Sequence, residues 1–223
     1  MCSRFSRARD AHIYVAPLFG EEHFRDARFA RSWNIAPGSV QPVFYQEGPM
    51  TARWGFAPVF ADTRRPMIVN CRLDDRNTAT WKTMWRTARV VVPTDGWYEW
   101  IVENGKQQPC FVRPVDDQPI YFAALIGYAL DEEPKGTDGF VVVTARARTG
   151  IVDENSHRPA VLNASDAIRW LDPKTSFSAA GKLVNESLTS SQSFRWFRVS
   201  VGVNSVGNDE PAFNDPLPDD ITA

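Results

Sequence analysis

Apolar and polar positions along the chain change period several times. From Gly20 to Arg31 the composition is helical, with Phe24 and Phe29 as the inward residues. Asp75 to Ala88 gives the strongest helical signal: Asp74 or Asp75 can cap it, and Trp81 and Trp85 lie four apart on one face. The pattern then turns to strands. Arg89-Val90-Val91-Val92 runs into Pro93, Asp95-Gly96 is a turn signal, and Trp97 to Val102 follows as the next strand. Further strands are predicted at 109–113, 119–126, 140–145 and 194–201. A short capped helix is expected over Ser165–Leu171 and another over Thr175–Asn185. Strands cluster in the middle, helices are interspersed, and no βαβ rhythm is present. That predicts an α+β fold around a mostly antiparallel, β-barrel-like core. There is no internal repeat and no linker, so residues 1–223 read as one domain. From about residue 208 the tail reads as irregular, acidic and exposed.

Composition narrows the function classes. The chain has 223 residues, 43% hydrophobic and 23% charged, an ordinary globular mix with enough length for a sizeable core. No run of 18 apolar residues exists, and the first residues carry Arg4, Arg7 and Arg9 instead of a signal-peptide core. Three cysteines (Cys2, Cys71, Cys110) and three histidines (His12, His23, His157) lack the spacing of a disulfide framework or a metal site. The expectation is a cytoplasmic, reduced protein without metal or cofactor. The net charge of −2 argues against a generic nucleic-acid binder. Its distribution changes the picture. Every charged residue after Arg198 is acidic, which leaves residues 1–198 at +3, and 20 of the 25 basic residues are Arg. Arg presents a planar fork to phosphates and stacks on bases; a GC-rich genome produces the same excess.

Four residues stand out as chemistry. The chain begins Met1-Cys2-Ser3-Arg4-Phe5. Trimming of Met1 leaves Cys2 with a free α-amine beside a thiol, of ordinary pKa about 7.7–8.0 and about 8.5. Such a 1,2-aminothiol condenses with an aldehyde and closes to a thiazolidine. With Met1 retained, only a thiol adduct can form. Glu99 sits in Trp97-Tyr98-Glu99-Trp100, where alternation puts it on one face with Trp97 and Ile101. A desolvated carboxylate there has a raised pKa and suits proton transfer; a solvated edge-strand Glu fits the same pattern. Asn70 closes an extended apolar segment and offers both a donor and an acceptor, or a simple cap. His157 is a polar-loop acid/base candidate, or an exposed side chain. The aromatic turns Trp33-Asn34-Ile35-Ala36-Pro37-Gly38 and Trp54-Gly55-Phe56-Ala57-Pro58 can stack on unpaired bases or pack in a core.

The order of these pieces resembles the SRAP family (SOS-response-associated peptidase), the abasic-site processing proteins. Met1-Cys2-Ser3-Arg4-Phe5 is similar to its Met-Cys-Gly-Arg-Phe. The two aromatic turns match its Tyr-Asn-(Val/Ile)-Ala-Pro-Gly and Trp-Gly-(aromatic or Leu)-x-Pro. Val69-Asn70-Cys71-Arg72-Leu73-Asp74 corresponds to Ile-Asn-Ala-Arg-x-Glu. Asp95-Gly96-Trp97-Tyr98-Glu99-Trp100 is nearly its Asp-Gly-(aromatic)-(aromatic)-Glu-Trp, and Val203-Asn204-Ser205-Val206 resembles a late motif.

The resemblance implies a protein that binds single-stranded DNA and captures abasic sites covalently as a thiazolidine on Cys2. Asn70 would position the reacting groups, Glu99 would shuttle protons, and His157 would fill the family's His role. It implies DNA contacts at Arg4, Asn34, Pro37 and Trp54, and at Phe60, Arg72 and Arg158. A thiol autopeptidase activity, which would remove Met1, and a non-catalytic single-stranded DNA-binding relative are the alternatives. A monomer, cytoplasmic and nucleoid-associated when on DNA, is expected. Three departures mark this chain. Asn155 stands at the family's His position with His157 two residues on, Ser3 replaces Gly, and Asp74 replaces Glu.

Overall fold

The computed structural model describes residues 2–57, 67–127, 138–146, 157–186 and 193–218. Along the chain run β1 (Phe5–Arg7), α1 (Ala11–Phe19), β2 (Ser32–Ile35), β3 (Val40–Tyr45), β4 (Gly48–Arg53) and β5 (Asn70–Arg72). Then come α2 (Ala79–Lys82), α3 (Met84–Thr87), β6 (Arg89–Thr94), β7 (Gly96–Glu103), β8 (Lys106–Pro114) and β9 (Ile120–Ile126). Last are β10 (Phe140–Arg146), β11 (His157–Pro159), β12 (Val161–Leu162), α4 (Ala164–Leu171), α5 (Phe177–Glu186) and β13 (Phe194–Arg198).

The strands form two sheets. One has the order β13-β8-β7-β1-β2 and is antiparallel throughout. The other has the order β11-β10-β9-β6-β3-β4, with β12 also on β9 and β5 on β10. Only β5–β10 is parallel among these pairings. The α+β, mostly antiparallel expectation holds. The barrel-like element of it is corrected: the sheets stay open instead of closing on themselves.

The Asp95-Gly96 signal marks a corner between sheets, not a hairpin. β6 belongs to the second sheet and β7 to the first, and the chain crosses at Asp95. A Cβ on Gly96 would overlap the Val112 carbonyl oxygen and the Phe111 ring, so only glycine fits. Beyond the corner, β7 alternates as expected. Trp97 faces the second sheet, its ring 6.2 Å from Phe122, while Tyr98 turns to a smaller cluster around Phe111, ring centroids 5.0 Å apart.

Two helical expectations are corrected. Residues 21–26 form turns, and the helix lies earlier, at Ala11–Phe19, ending at Gly20 with φ of 89°. The 75–88 helix breaks at Thr83 into α2 and α3, after a 3-10 turn at Leu73–Asp75, and neither Asp74 nor Asp75 caps it. Trp81 and Trp85 do both face the core, where Trp85 meets Trp170 edge-on at 5.1 Å. α4 is capped by Asn163, whose Oδ1 accepts from the Asp166 N–H at 2.8 Å. β13 is shorter than predicted and gives way to 3-10 turns at Val201–Asn204 and Pro211–Asn214. Phe213 in the second turn is buried in the Tyr98 cluster, so this part of the segment read as exposed is docked. Among the described residues, no helix is long and apolar enough to cross a membrane, and no His/Cys/Asp/Glu group could hold a metal.

Candidate active site

The start of the chain is placed by β1, which lies between β7 and β2 in the first sheet. Phe5 pairs with Trp97, and the Tyr98 N–H donates to the Arg4 carbonyl at 3.1 Å. Continuing that antiparallel register brings residue 3 opposite Glu99, and the Cys2 thiol beside it lies within the field of that carboxylate. Strand β1 is fastened at its other end by Asp95. The Asp95 N–H donates to the Ser6 carbonyl at 2.9 Å; its Oδ2 accepts from the Ala8 N–H at 2.6 Å and the Tyr14 hydroxyl at 2.8 Å. The corner between the sheets therefore sets where Cys2 sits.

Cys2 is 0% exposed, and its Sγ lies 4.0 Å from the Arg4 carbonyl. Burial, followed by the charge of Glu99, pushes the thiol well above the ordinary cysteine range. The thiol is thus protonated at neutral pH. Glu99 is 4% exposed, and its Oε1 accepts from the Trp97 indole N–H at 3.2 Å. Asn70 enters from the second sheet. Its Nδ2 donates to the Cys2 carbonyl at 2.9 Å, while its buried Oδ1 has no hydrogen-bond partner among the described residues. An unsatisfied buried acceptor costs stability unless a ligand supplies a donor. Asn70 from the second sheet thus holds the Cys2 backbone, while Glu99 from the first acts on the Cys2 thiol through its charge.

His157 stands at the head of β11, opposite Arg146 on β10, two strands over from Arg72 on β5. Partial burial, then the nearby Arg72 and Arg146, lower its pKa against the pull of Asp74, so it is neutral at pH 7. Asp74 binds the Arg146 guanidinium at 2.9 Å. Arg72 is exposed on this rim, and Pro37 is partly exposed on a turn.

Burial corrects several of the expected DNA contacts. Trp54 is 0% exposed; its indole N–H donates to the Val69 carbonyl at 3.0 Å and its ring packs parallel to Phe140, so no face is open to a base. Arg158 is buried with its guanidinium over the Phe194 ring. Asn34 is buried too. Its Nδ2 donates to the carbonyls of Val203, Ser205 and Asn208, and its Oδ1 accepts from Arg4 at 2.9 Å. Arg4 donates also to the Val203 carbonyl at 2.6 Å. Arg4 and Asn34 thus hold the 201–208 segment against β1. Phe60 and Asn155 lie outside the described residues. Sequence reasoning missed the clamp at Asp95, which it read only as a turn former.

Comparison with known proteins gives one consistent picture. The family described as SOS response associated peptidase (SRAP) matches residues 1–206. The abasic site processing protein YedK of Escherichia coli (strain K12) is 32% identical over 226 residues, covering 93% of this chain and 96% of that protein. The abasic site processing protein HMCES of Gallus gallus is 26% identical over 230 residues, covering 85% of this chain and 67% of that one. Among solved structures, a phage-related protein of Bordetella bronchiseptica aligns with a TM-score of 0.73 at 29% identity, covering 89% of this chain and 94% of its own. A Bacteroides thetaiotaomicron protein aligns with a TM-score of 0.80 at 16% identity, over 97% of this chain and 100% of its own, a likeness of fold.

Proposed function

The chain belongs to the SOS response associated peptidase (SRAP) family, and from that premise we propose that it processes abasic sites in DNA by covalent capture on Cys2. The observation that carries the proposal is a buried Cys2 whose carbonyl is held by the Asn70 amide and whose thiol lies within the field of the buried Glu99 carboxylate.

The chemistry starts once Met1 is removed. The ring-opened abasic sugar presents an aldehyde, which the Cys2 α-amine attacks; loss of water leaves an imine. The thiol S–H then adds across the C=N bond. A C–S bond forms, the thiol proton passes to nitrogen, and the product is a thiazolidine. Glu99 is the carrier of that proton, and of the proton lost from the amine. Because burial and Glu99 both keep the thiol protonated, the amine acts first and the sulfur second. Asn70 fixes the Cys2 carbonyl, and with it the rotation that brings amine and thiol to one face of the aldehyde carbon. His157, neutral at pH 7, is the acceptor for the sugar hydroxyl proton during ring opening.

The raised thiol pKa also separates this reading from a thiol peptidase. A Cys–His peptidase pair needs a depressed thiol pKa, and here burial and a carboxylate act in the opposite sense.

An abasic single-stranded oligonucleotide mixed with the purified protein should give a conjugate that survives a denaturing gel, and Cys2→Ala should abolish it. Intact mass of the protein, read first, reports whether Met1 is gone. A conjugate that persists in Cys2→Ala overturns the role of Cys2. Tight strand binding with no conjugate would instead make this chain a non-catalytic relative.

A further inference from the structure

Of the aromatics expected to stack on a base, Trp54 is buried and Phe60 lies outside the described residues. A different indole is available. Of the eight tryptophans, Trp196 alone is exposed, at 39%; Trp33 and Trp100 are half-buried and the rest buried. Large apolar rings gain from burial, and this one is left open to water.

Register fixes where Trp196 points. It lies opposite Val112 on β8, which lies opposite Trp97 on β7; Arg198 lies opposite Cys110, which lies opposite Glu99. Directly paired residues share a face of the sheet. Trp97 meets the Phe194 ring edge-on at 5.2 Å, which puts Phe194, Trp196 and Arg198 on the face that carries Glu99. Phe197 points the other way, onto Phe111 at 6.0 Å. Two strand spacings and one pleat repeat separate Trp196 from Glu99, roughly 12 Å. The Arg158 guanidinium over Phe194 draws β13 towards β11, the strand that His157 heads. Trp196 therefore stands beside the wall of the candidate site. Arg198, on the same face, lies 3.5 Å from Glu103 in a partly exposed ion pair. Such pairs contribute little in water, so a phosphate can displace the carboxylate.

We propose that Trp196 is the stacking platform for a nucleobase close to the abasic position, with Arg198 holding an adjoining phosphate. The occupant is an unpaired DNA strand, and the proposal rests on the abasic-site reading above.

The test compares wild type, Trp196→Ala and Trp196→Phe. Fluorescence anisotropy with an undamaged labelled single strand should show Trp196→Ala binding about tenfold more weakly, with Trp196→Phe recovering most of the loss. Conjugation is then followed with two probes, an abasic oligonucleotide and 2-deoxyribose 5-phosphate, which has an aldehyde but no base. The ratio of oligonucleotide rate to sugar-phosphate rate should fall about tenfold in Trp196→Ala. Strand binding by Trp196→Ala within twofold of wild type overturns the proposal. So does an equal loss on both probes, since the ring would then act through the fold. If wild type conjugates neither probe yet Trp196→Ala weakens strand binding, the capture reading falls and the stacking role stands.

Discussion

At the scale of single residues, the site depends on which protons are held and which are free to move. Cys2 keeps its proton because it is buried beside Glu99. The rate of conjugation should therefore rise with pH through the range of the α-amine, about 7.7–8.0. It should then stay level near pH 8.5–9, where an exposed thiol would ionise and add a second rise. On the proposed mechanism Glu99→Gln removes the proton carrier, and positioned acid–base groups contribute about a hundredfold or more. Conjugation with an abasic strand should slow by about that factor. Binding to undamaged strand, read by anisotropy, should hold, because a carboxylate 4% exposed has no surface for a phosphate. Alternation along Trp97-Tyr98-Glu99 sets which face Glu99 shares from local information alone; whether that face is buried or solvated is decided by the strands packed against it. The burial of Trp54 is no more legible in the sequence. An aromatic turn reads alike whether its ring meets water or Phe140, and only the partner strand decides.

Elements show the same division between local and distant causes. α4 announces itself as a short capped helix, and the structure assigns its cap to Asn163. α1 has no polar-apolar stripe: Ala11-His12-Ile13-Tyr14-Val15-Ala16-Pro17-Leu18-Phe19 is apolar on most sides and carries an internal proline, so periodicity gives it no signature. The helical reading slid to 20–31 instead. The corner at Asp95 shows that a turn signal reports a change of direction without saying whether the next strand pairs with the last. Arg89, read only as the first residue of a strand, is a buried tie between elements. Its guanidinium donates to the carbonyls of Trp85 and Arg86 near the end of α3, and of Trp170, Asp172 and Thr175 around the end of α4. A cation there also complements the helix dipoles. Arg89→Met should lower the unfolding free energy by about 3 kcal/mol, measured by urea denaturation, because it strands buried carbonyls. Arg89→Lys should rescue little, since one ammonium cannot replace a five-donor fork.

Across the whole molecule, several acidic groups lose their protons less readily when folded than when unfolded. Burial pushes Cys71 up to about 12, and raises Cys2, Tyr14, Tyr98 and Tyr121 beyond their usual ranges. Above about pH 8.5 Cys2 and Cys71 ionise in the unfolded chain but hold their protons in the folded one, and near pH 10 Tyr14, Tyr98 and Tyr121 join them. The unfolded state then binds fewer protons, so stability falls as pH rises. The urea midpoint should be level up to about pH 8, decline beyond it, and decline more steeply past pH 10. Segments far apart in sequence also meet around the site. Arg4 and Asn34 grip residues 203–208, the Trp33 N–H donates to Asp209, and the Asn214 side chain donates to the Ser6 hydroxyl at 2.8 Å. Asn34→Ala should loosen this seam and slow conjugation equally for an abasic strand and for 2-deoxyribose 5-phosphate, the reverse of the Trp196 pattern. The same seam has a consequence during synthesis. Arg4 waits for a partner made 199 residues later, so the segment around Cys2 gains this hold only after Val203 has emerged from the ribosome.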